Sequence, residues 1–275
     1  RYDKFCLCKR QYYFDYYGKF DRENSRQKIN ELKKLTSVPL EIGNIVHDTL
    51  QALLNRLVKT EIPLDREKFF EFAVSMAQKY CATKTFAEVY YKEADQIDMA
   101  FINEKVHISL KNFLKSDRFS WIIKEGVKKK KYWIIEPPGY GETRIDGLKA
   151  YCKVDFLFPV DERIYILDWK TGKADDRKHK KQLVGYTAWA SYHFDKKPDQ
   201  IFPVVVYLNP TYKETQLSIS PDDLSQFTLH VKKETEEMYS YLVDTEKNIP
   251  KGKENFPKTA DTFFCKYCNY REICP

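Results

Sequence analysis

The hydrophobic pattern switches between helical and strand periods, and the switch points mark out the elements. Residues 41–59 carry Ile45, Val46, Leu50, Leu53, Leu54 and Leu57 on one broad helical face, with Pro39 just ahead, as expected near a helix start. Residues 65–82 and 95–116 read as two further amphipathic helices, so 60–125 forms a mainly helical insertion able to wall off or roof a site. The pattern then turns to strands at 132–136 and around 145–148. Two apolar runs follow, YCKVDFLF and RIYILDWK, joined by the polar stretch Pro159-Val160-Asp161-Glu162-Arg163. A basic amphipathic helix over 177–194, a strand FPVVVYL at 202–208 and a long helix over 221–244 complete the series. Helix, strand, hairpin, helix and strand in that order predict an α/β fold with a mixed central β-sheet flanked by helices.

The hairpin carries the first candidate chemistry. If Asp161-Glu162 makes a two-residue turn, Val160 pairs with Arg163, and the register brings Asp155 opposite Asp168. Alternation then puts Asp155, Leu157, Ile164, Ile166, Asp168 and Lys170 on one face. Like charges directly opposed, with Cβ atoms about 5 Å apart, destabilise a hairpin unless something compensates them. A divalent cation would do so, with Lys170 beside the pair to hold an attacking water or a developing negative charge. The plain alternative is a solvated hairpin whose charges face water. Against it, Phe156, Leu157, Phe158, Ile164, Ile166, Leu167 and Trp169 make both strands read as sheet interior, where charges are unusual and often functional. Gly43 and His47, and likewise Gln182 and Tyr186, lie four apart and share a helix face; the glycine would leave room beside the imidazole. Their ordinary roles would be a structural histidine and a tyrosine packed on the sheet. Glu136, ahead of Pro137-Pro138, is either a turn residue or another acid near the site.

Charge and cysteine usage narrow the chemistry. The formal charge of +7 is clustered at Lys128–Lys131, at Arg177-Lys178-His179-Lys180-Lys181 and at Lys9-Arg10. Such runs are usually solvated faces, but beside a metal-type carboxylate pair they suggest phosphate backbones. Twenty tyrosines and eighteen phenylalanines add surfaces for base stacking, although most must be core. Of seven cysteines, Cys265, Cys268 and Cys274 form C-x2-C-x5-C at the C-terminus, and Cys6 and Cys8 lie near the start. An odd count without a secretion signal argues for metal or cluster ligation over disulfides, and a thiolate tetrad would take its fourth member from the N-terminal pair. This spacing suits an iron-sulfur cluster better than zinc, though four thiolates serve both. Cys81 and Cys152 read as core. No run approaches a membrane helix and no signal-peptide pattern is present, so the expectation is a soluble cytoplasmic protein without membrane contact. The start at Arg1 rather than methionine leads us to expect residues upstream. The absence of G-x-x-x-x-G-K-[ST] argues against an NTP motor.

The series G-x-x-x-H (Gly43 to His47), Val154-Asp155, I-L-D-W-K-T-G (Ile166 to Gly172) and Q-L-x-x-Y (Gln182 to Tyr186) resembles the PD-(D/E)XK nuclease superfamily in its RecB-like branch. The N-terminal C-K-R-Q-Y-Y-F-D-Y-Y and the C-terminal cysteines resemble its iron-sulfur subgroup, which includes CRISPR adaptation nucleases, AddB-type nuclease domains and exonuclease V proteins. The resemblance spans nearly the whole chain. It implies one domain over 1–275 with a restriction-endonuclease-like core and a cluster-binding region at 1–20 plus 255–275. It implies Mg²⁺ or Mn²⁺ on His47, Asp155, Asp168 and the Trp169 carbonyl, with Lys170 activating water and Gln182 and Tyr186 orienting or bracing the site. It also implies a [4Fe-4S] cluster on Cys8, Cys265, Cys268 and Cys274, Cys6 falling off the family position. Activity is expected with either metal and with a preference for Mn²⁺, since imidazole suits Mg²⁺ less well. The expected substrate is DNA, single-stranded ends above all, with a helicase or CRISPR integrase as partner. A non-catalytic nucleic-acid-binding module of a larger complex is the competing reading.

Overall fold

The computed structural model describes the backbone of residues 1–136, 141–145 and 148–274, and their side chains except those of 141–151 and 176–178. Contacts divide the chain into two compact units, one of residues 1–37, 84–95 and 229–275, the other of residues 38–83 and 96–228.

In chain order the helices are α1 (Tyr2–Leu7), α2 (Lys9–Tyr17), α3 (Arg26–Lys33), α4 (Val38–Lys59), α5 (Arg66–Thr83), α6 (Ala87–Tyr90), α7 (Met99–Leu114), α8 (Asp117–Lys124), α9 (Asp176–Phe194) and α10 (Pro221–Tyr239). The strands are β1 (Ile134–Ile135), β2 (Gly141–Ile145), β3 (Leu148–Cys152), β4 (Phe156–Val160), β5 (Arg163–Lys170), β6 (Ile201–Tyr207), β7 (Lys213–Gln216), β8 (Leu242–Asp244) and β9 (Ile249–Pro250).

The second unit is built on a five-stranded sheet in the order β1-β4-β5-β6-β7, parallel between β5 and β6 and antiparallel elsewhere. The mixed sheet with flanking helices is the α/β architecture expected, and it is consistent with a restriction-endonuclease-like fold. Apolar strands arise because both faces are covered. Phe156, Phe158, Leu167, Trp169, Val204 and Val206 join one core with Ile45 and Leu50 of α4 and Leu110 and Phe113 of α7. Leu157, Ile164, Ile166, Val205 and Tyr207 join a second core with Leu183, Tyr186, Trp189 and Ala190 of α9. Because strand side chains alternate, these two lists fix which residues of β5 look toward α9.

Several boundaries differ from the sequence reading. Helix α4 begins at Val38, so Pro39 lies inside its first turn, where a missing N–H costs nothing. The α5 start is set by Asp65 Oδ1, which accepts from the amides of Glu67 (3.1 Å) and Lys68 (3.2 Å). The helix expected over 95–116 shortens to α7, with Asp98 Oδ1 accepting from Phe101 N at 3.0 Å as its N-cap. The strand expected at 132–136 shrinks to β1, because 126–132 coils as a 3₁₀ segment and Trp133 Nε1 donates back to Gly126 O at 3.1 Å. The strand expected around 145–148 is the end of β2 and the start of β3; residues 146 and 147 lie outside those described, as do 137 and 138 beside Glu136. The last helix stops at Tyr239, and Leu242 turns instead into the β8-β9 pair, held by Asp244 Oδ1 accepting from Lys247 N at 2.8 Å.

The first unit has its own aromatic core of Phe5, Tyr13, Phe14, Tyr17, Phe256 and Tyr270, with Ile29, Leu32 and Leu35. Its chain-distant pieces are joined by specific contacts: Tyr270 OH donates to Asp15 Oδ1 at 2.6 Å, and Arg10 Nε donates to Phe256 O at 2.9 Å.

Candidate active site

The hairpin register is the one its turn predicts. Val160 pairs with Arg163 and Phe156 with Leu167, with Asp161 in the left-handed region at φ 51°. That places Asp155 and Asp168 at the same level, just beyond the last recorded pair. Asp155 Oδ2 accepts from Trp169 N at 2.8 Å, so its carboxylate crosses to the neighbouring strand.

Asp168 is 2 % exposed and faces α9. Its Oδ1 accepts from Gln182 Nε2 at 3.0 Å and lies 3.0 Å from Tyr186 OH. Its Oδ2 is held by the Lys170 ammonium and has no other protein partner. A buried carboxylate oxygen left this way has room in its chemistry for a further ligand. Burial, then the charge of Asp155, raises the Asp168 carboxyl above its ordinary range, with Lys170 and Tyr186 working the other way. Tyr186 is itself pushed far up by burial, then by Asp168 and Asp155, and stays a neutral phenol. Its hydroxyl also reaches Lys153 O at 3.0 Å.

Helix α4 delivers His47 to the same place. Its Nδ1 lies 3.3 Å from Asp155 Oδ1 and its Nε2 lies 3.0 Å from Trp169 O. Burial opposes a charge on the imidazole, but the hydrogen bond to Asp155 and the charges of Asp155 and Asp168 win, raising its affinity for a proton. Trp169 joins the two halves. Its amide and carbonyl face the site, and its indole lies on the opposite side of the sheet, edge-on to Phe113 with centroids 4.9 Å apart.

The structure therefore brings together His47, Asp155, Asp168, Trp169, Lys170, Gln182 and Tyr186 from α4, the β4-β5 hairpin and α9. Gly43 does not do what its spacing suggested. A Cβ there would meet Thr171 Oγ1 at 3.4 Å, and the imidazole is not within 4 Å. Two neighbours were not singled out in the sequence. Gln51, one turn beyond His47 on α4, donates to Glu136 O at 3.2 Å, and the Glu136 amide donates to Asp155 O at 3.0 Å. Lys153 pairs with the Glu136 carboxylate. The spacing His47 to Gln51 repeats that of Gly43 to His47 and could have revealed the first; a lysine beside a strand end carries no such signal.

As they stand, Lys170 pairs with Asp168 and the His47 imidazole lies against Asp155. No group of three or more His, Cys, Asp or Glu side chains among the described residues is drawn into a cage ready to hold a metal ion. The donors nevertheless suit a hard divalent cation: the Asp155 and Asp168 carboxylates, the His47 imidazole and the Trp169 carbonyl.

In the first unit, burial and then the neighbouring Cys8, Cys274 and Cys265 push the Cys268 thiol up to about 11, with the Tyr270 amide opposing. Cys274 is raised by burial and in turn feels Cys8 and Cys265. Cys6 is exposed and acts instead on Tyr2. Cys152 is buried in the sheet core and Cys81 packs against the α4-α7 core, as expected.

Several members of the basic runs are paired. Lys128 bonds Glu125 at 2.6 Å, Lys129 donates to Asp161 O at 2.6 Å, Lys130 is 3.7 Å from Glu61, and Lys9 is 3.6 Å from Glu237. Lys180 is 3.8 Å from Asp223, and the buried His179 lies 2.8 Å from Tyr207 OH; the side chains of Arg177 and Lys178 are outside those described. No helix among the described residues is long and apolar enough to cross a membrane.

No curated protein sequence matches the chain. A solved structure titled "Crystal structure of SSO0001" aligns at 17% identity over 68% of this chain and 78% of that one, with a TM-score of 0.32. The family model described as PD-(D/E)XK nuclease superfamily matches residues 1–275. The chain thus belongs to the PD-(D/E)XK nuclease superfamily, whose members are generally metal-dependent nucleases.

Proposed function

We propose that this protein hydrolyses DNA phosphodiester bonds with Mg²⁺ or Mn²⁺, acting preferentially on single-stranded ends. The observation that carries the proposal is the environment of Asp168: buried, braced through one oxygen by Gln182 and Tyr186, and held on the other by Lys170 alone, beside the Asp155-His47 pair.

A divalent cation at this position would supply charge neutralisation on the phosphate and a lowered pKa for attacking water. The chain's own residues do the rest. Asp155, Asp168, His47 Nε2 and Trp169 O are the donors that would hold it. Lys170, now paired with Asp168, is placed to orient the nucleophile and meet the negative charge that develops on the phosphate. Gln182 and Tyr186 fix the Asp168 carboxylate in one rotamer, and the neutral Tyr186 adds no competing charge.

On the same reading, Cys8, Cys265, Cys268 and Cys274 hold a [4Fe-4S] cluster. Support comes from the proximity of Cys8 and Cys265 to both Cys268 and Cys274, each of which feels their charge.

The test is degradation of end-labelled and circular DNA, single-stranded and duplex, with each metal. Asp168→Ala and Lys170→Ala should each lower the rate by about 10²–10⁴-fold. Undiminished cleavage by both would refute the site. DNA binding without cleavage under any divalent metal would favour the non-catalytic module.

A further inference from the structure

The stretch that carries Cys265 leaves three large aromatic rings in water. Phe263 is 64 % exposed, Phe264 42 % and Tyr267 63 %. They form one group: the Phe263 ring lies 6.0 Å from that of Phe264 and 5.4 Å from that of Tyr267, both edge-to-face. The backbone beneath them is held. Asp261 Oδ1 accepts from Phe263 N at 3.0 Å, Cys265 N donates to Thr262 O at 3.0 Å, and Cys268 N donates to Cys265 O at 3.2 Å. Arg271 ties the turn from outside, donating to Lys266 O while pairing with Glu93 at 2.8 Å and lying 3.7 Å over the Tyr91 ring.

Rings offered to water on a fixed turn suit a partner with flat apolar faces. The charges around them say which. Lys266 lies within the group, its Nζ 5.8 Å over the Tyr267 ring, and Lys258 precedes the group by five residues in sequence and acts on Cys274; both are exposed and neither has an ion pair among the described residues. Asp261 is the acid within this stretch, and its carboxylate is engaged by the Phe263 amide. Aromatic faces interleaved with unpaired lysines are what an unpaired polynucleotide recognises: rings take the bases and ammonium groups take the phosphates. In the longer basic runs, read from sequence as phosphate contacts, Lys128, Lys129, Lys130, Lys9 and Lys180 each meet a protein acid or carbonyl.

We infer that Phe263, Phe264 and Tyr267, with Lys258 and Lys266, form a base-stacking surface for single-stranded nucleic acid on the first unit. The inference deepens the nuclease reading and rests on it for the class of ligand. Stacking is indifferent to base identity, so the surface would hold a strand without choosing its sequence.

Binding of a fluorescein-labelled oligothymidylate to the full chain, followed by anisotropy in EDTA, separates holding from cutting. The double variant Phe263→Ala/Tyr267→Ala should bind about 10- to 100-fold more weakly than wild type. Phe263→Trp/Tyr267→Phe, which keeps the rings, should bind like wild type. Lys258→Gln and Lys266→Gln should each flatten the dependence of log K on log salt by roughly 0.7. All variants should keep the wild-type melting temperature and metal-dependent hydrolysis of bis(p-nitrophenyl) phosphate, which has no bases to stack. Wild-type affinity in the alanine pair would overturn the inference while leaving the nuclease reading intact. Failure of wild type to bind any oligonucleotide would also overturn the inference, and only failure to cleave with every divalent metal would overturn the nuclease reading.

Discussion

At Asp168, a single carboxylate has its two oxygens treated differently, and each side can be tested. Tyr186→Phe removes the hydroxyl within 3.0 Å of Asp168 Oδ1 and leaves Lys153 O without that donor. The expected cost is about 1–2 kcal/mol of stability, from loss of a buried hydrogen bond, with a fall of roughly tenfold in cleavage rate as the carboxylate gains freedom. Urea unfolding and single-turnover cleavage measure the two separately. A different buried acid in the first unit sets a pH dependence. Asp21 loses solvation on burial, but its Oδ1 accepts from the amides of Asn24 (2.7 Å) and Glu23 (3.0 Å), and Lys253 Nζ lies 3.3 Å from its Oδ2; the balance holds its carboxyl below the usual range. Since the folded value lies below the unfolded one of about 3.9, the carboxylate stabilises the fold above that value and ceases to as pH falls through the folded one. Asp21→Asn should therefore unfold at lower urea than wild type at pH 7, and the gap should close below about pH 4.

Among elements, the helices and strands that support the site were the most legible, and the reasons are local. The Asp161-Glu162 turn fixed the register of β4 and β5, and that register alone brought Asp155 level with Asp168. Apolar spacing on α4 and α9 placed His47, Gln182 and Tyr186 on site-facing sides. Helix ends were read less well, because side-chain caps such as Asp65 and Asp98 decide them, whereas apolar periodicity continues past them. Strands β7 to β9 are short and weakly patterned and escaped notice, as did the α1 to α3 packing, whose core is aromatic and drawn from remote segments. Gly43 misled because spacing along one helix says nothing about what another element, here Thr171, brings against it. Glycine does matter where elements close tightly. A Cβ on Gly18 would stand 2.6 Å from Ile29 Cγ2 of α3, a branched carbon with little freedom to yield. Gly18→Ala should cost about 1–3 kcal/mol in chemical unfolding.

Across the whole molecule, the ends of the chain meet within one unit, and the four thiols there come from its first and last stretches. A group bound by all four would close a loop of nearly the full sequence, and closure entropy rises with loop length. Under the proposed cluster, Cys268→Ser should remove broad visible absorption and lower the melting temperature of the purified protein; a colourless wild type with stoichiometric zinc would refute the cluster. The cysteine spacing motivated that proposal, whereas the pairing of the basic runs was not readable, since opposite charges such as Glu61 and Glu237 come from remote sequence. The Trp169 arrangement has a wider consequence for what this chain can tolerate. The peptide groups on either side of its Cα meet His47 and Asp155, while its ring is wedged against Phe113 in the core. A substitution that loosened that packing, even one far from any polar group of the site, would tilt the peptides and shift the donors together. If the proposed chemistry runs at this site, core changes in α7 would be tolerated only where they leave that indole in place, a narrower licence than volume conservation alone gives.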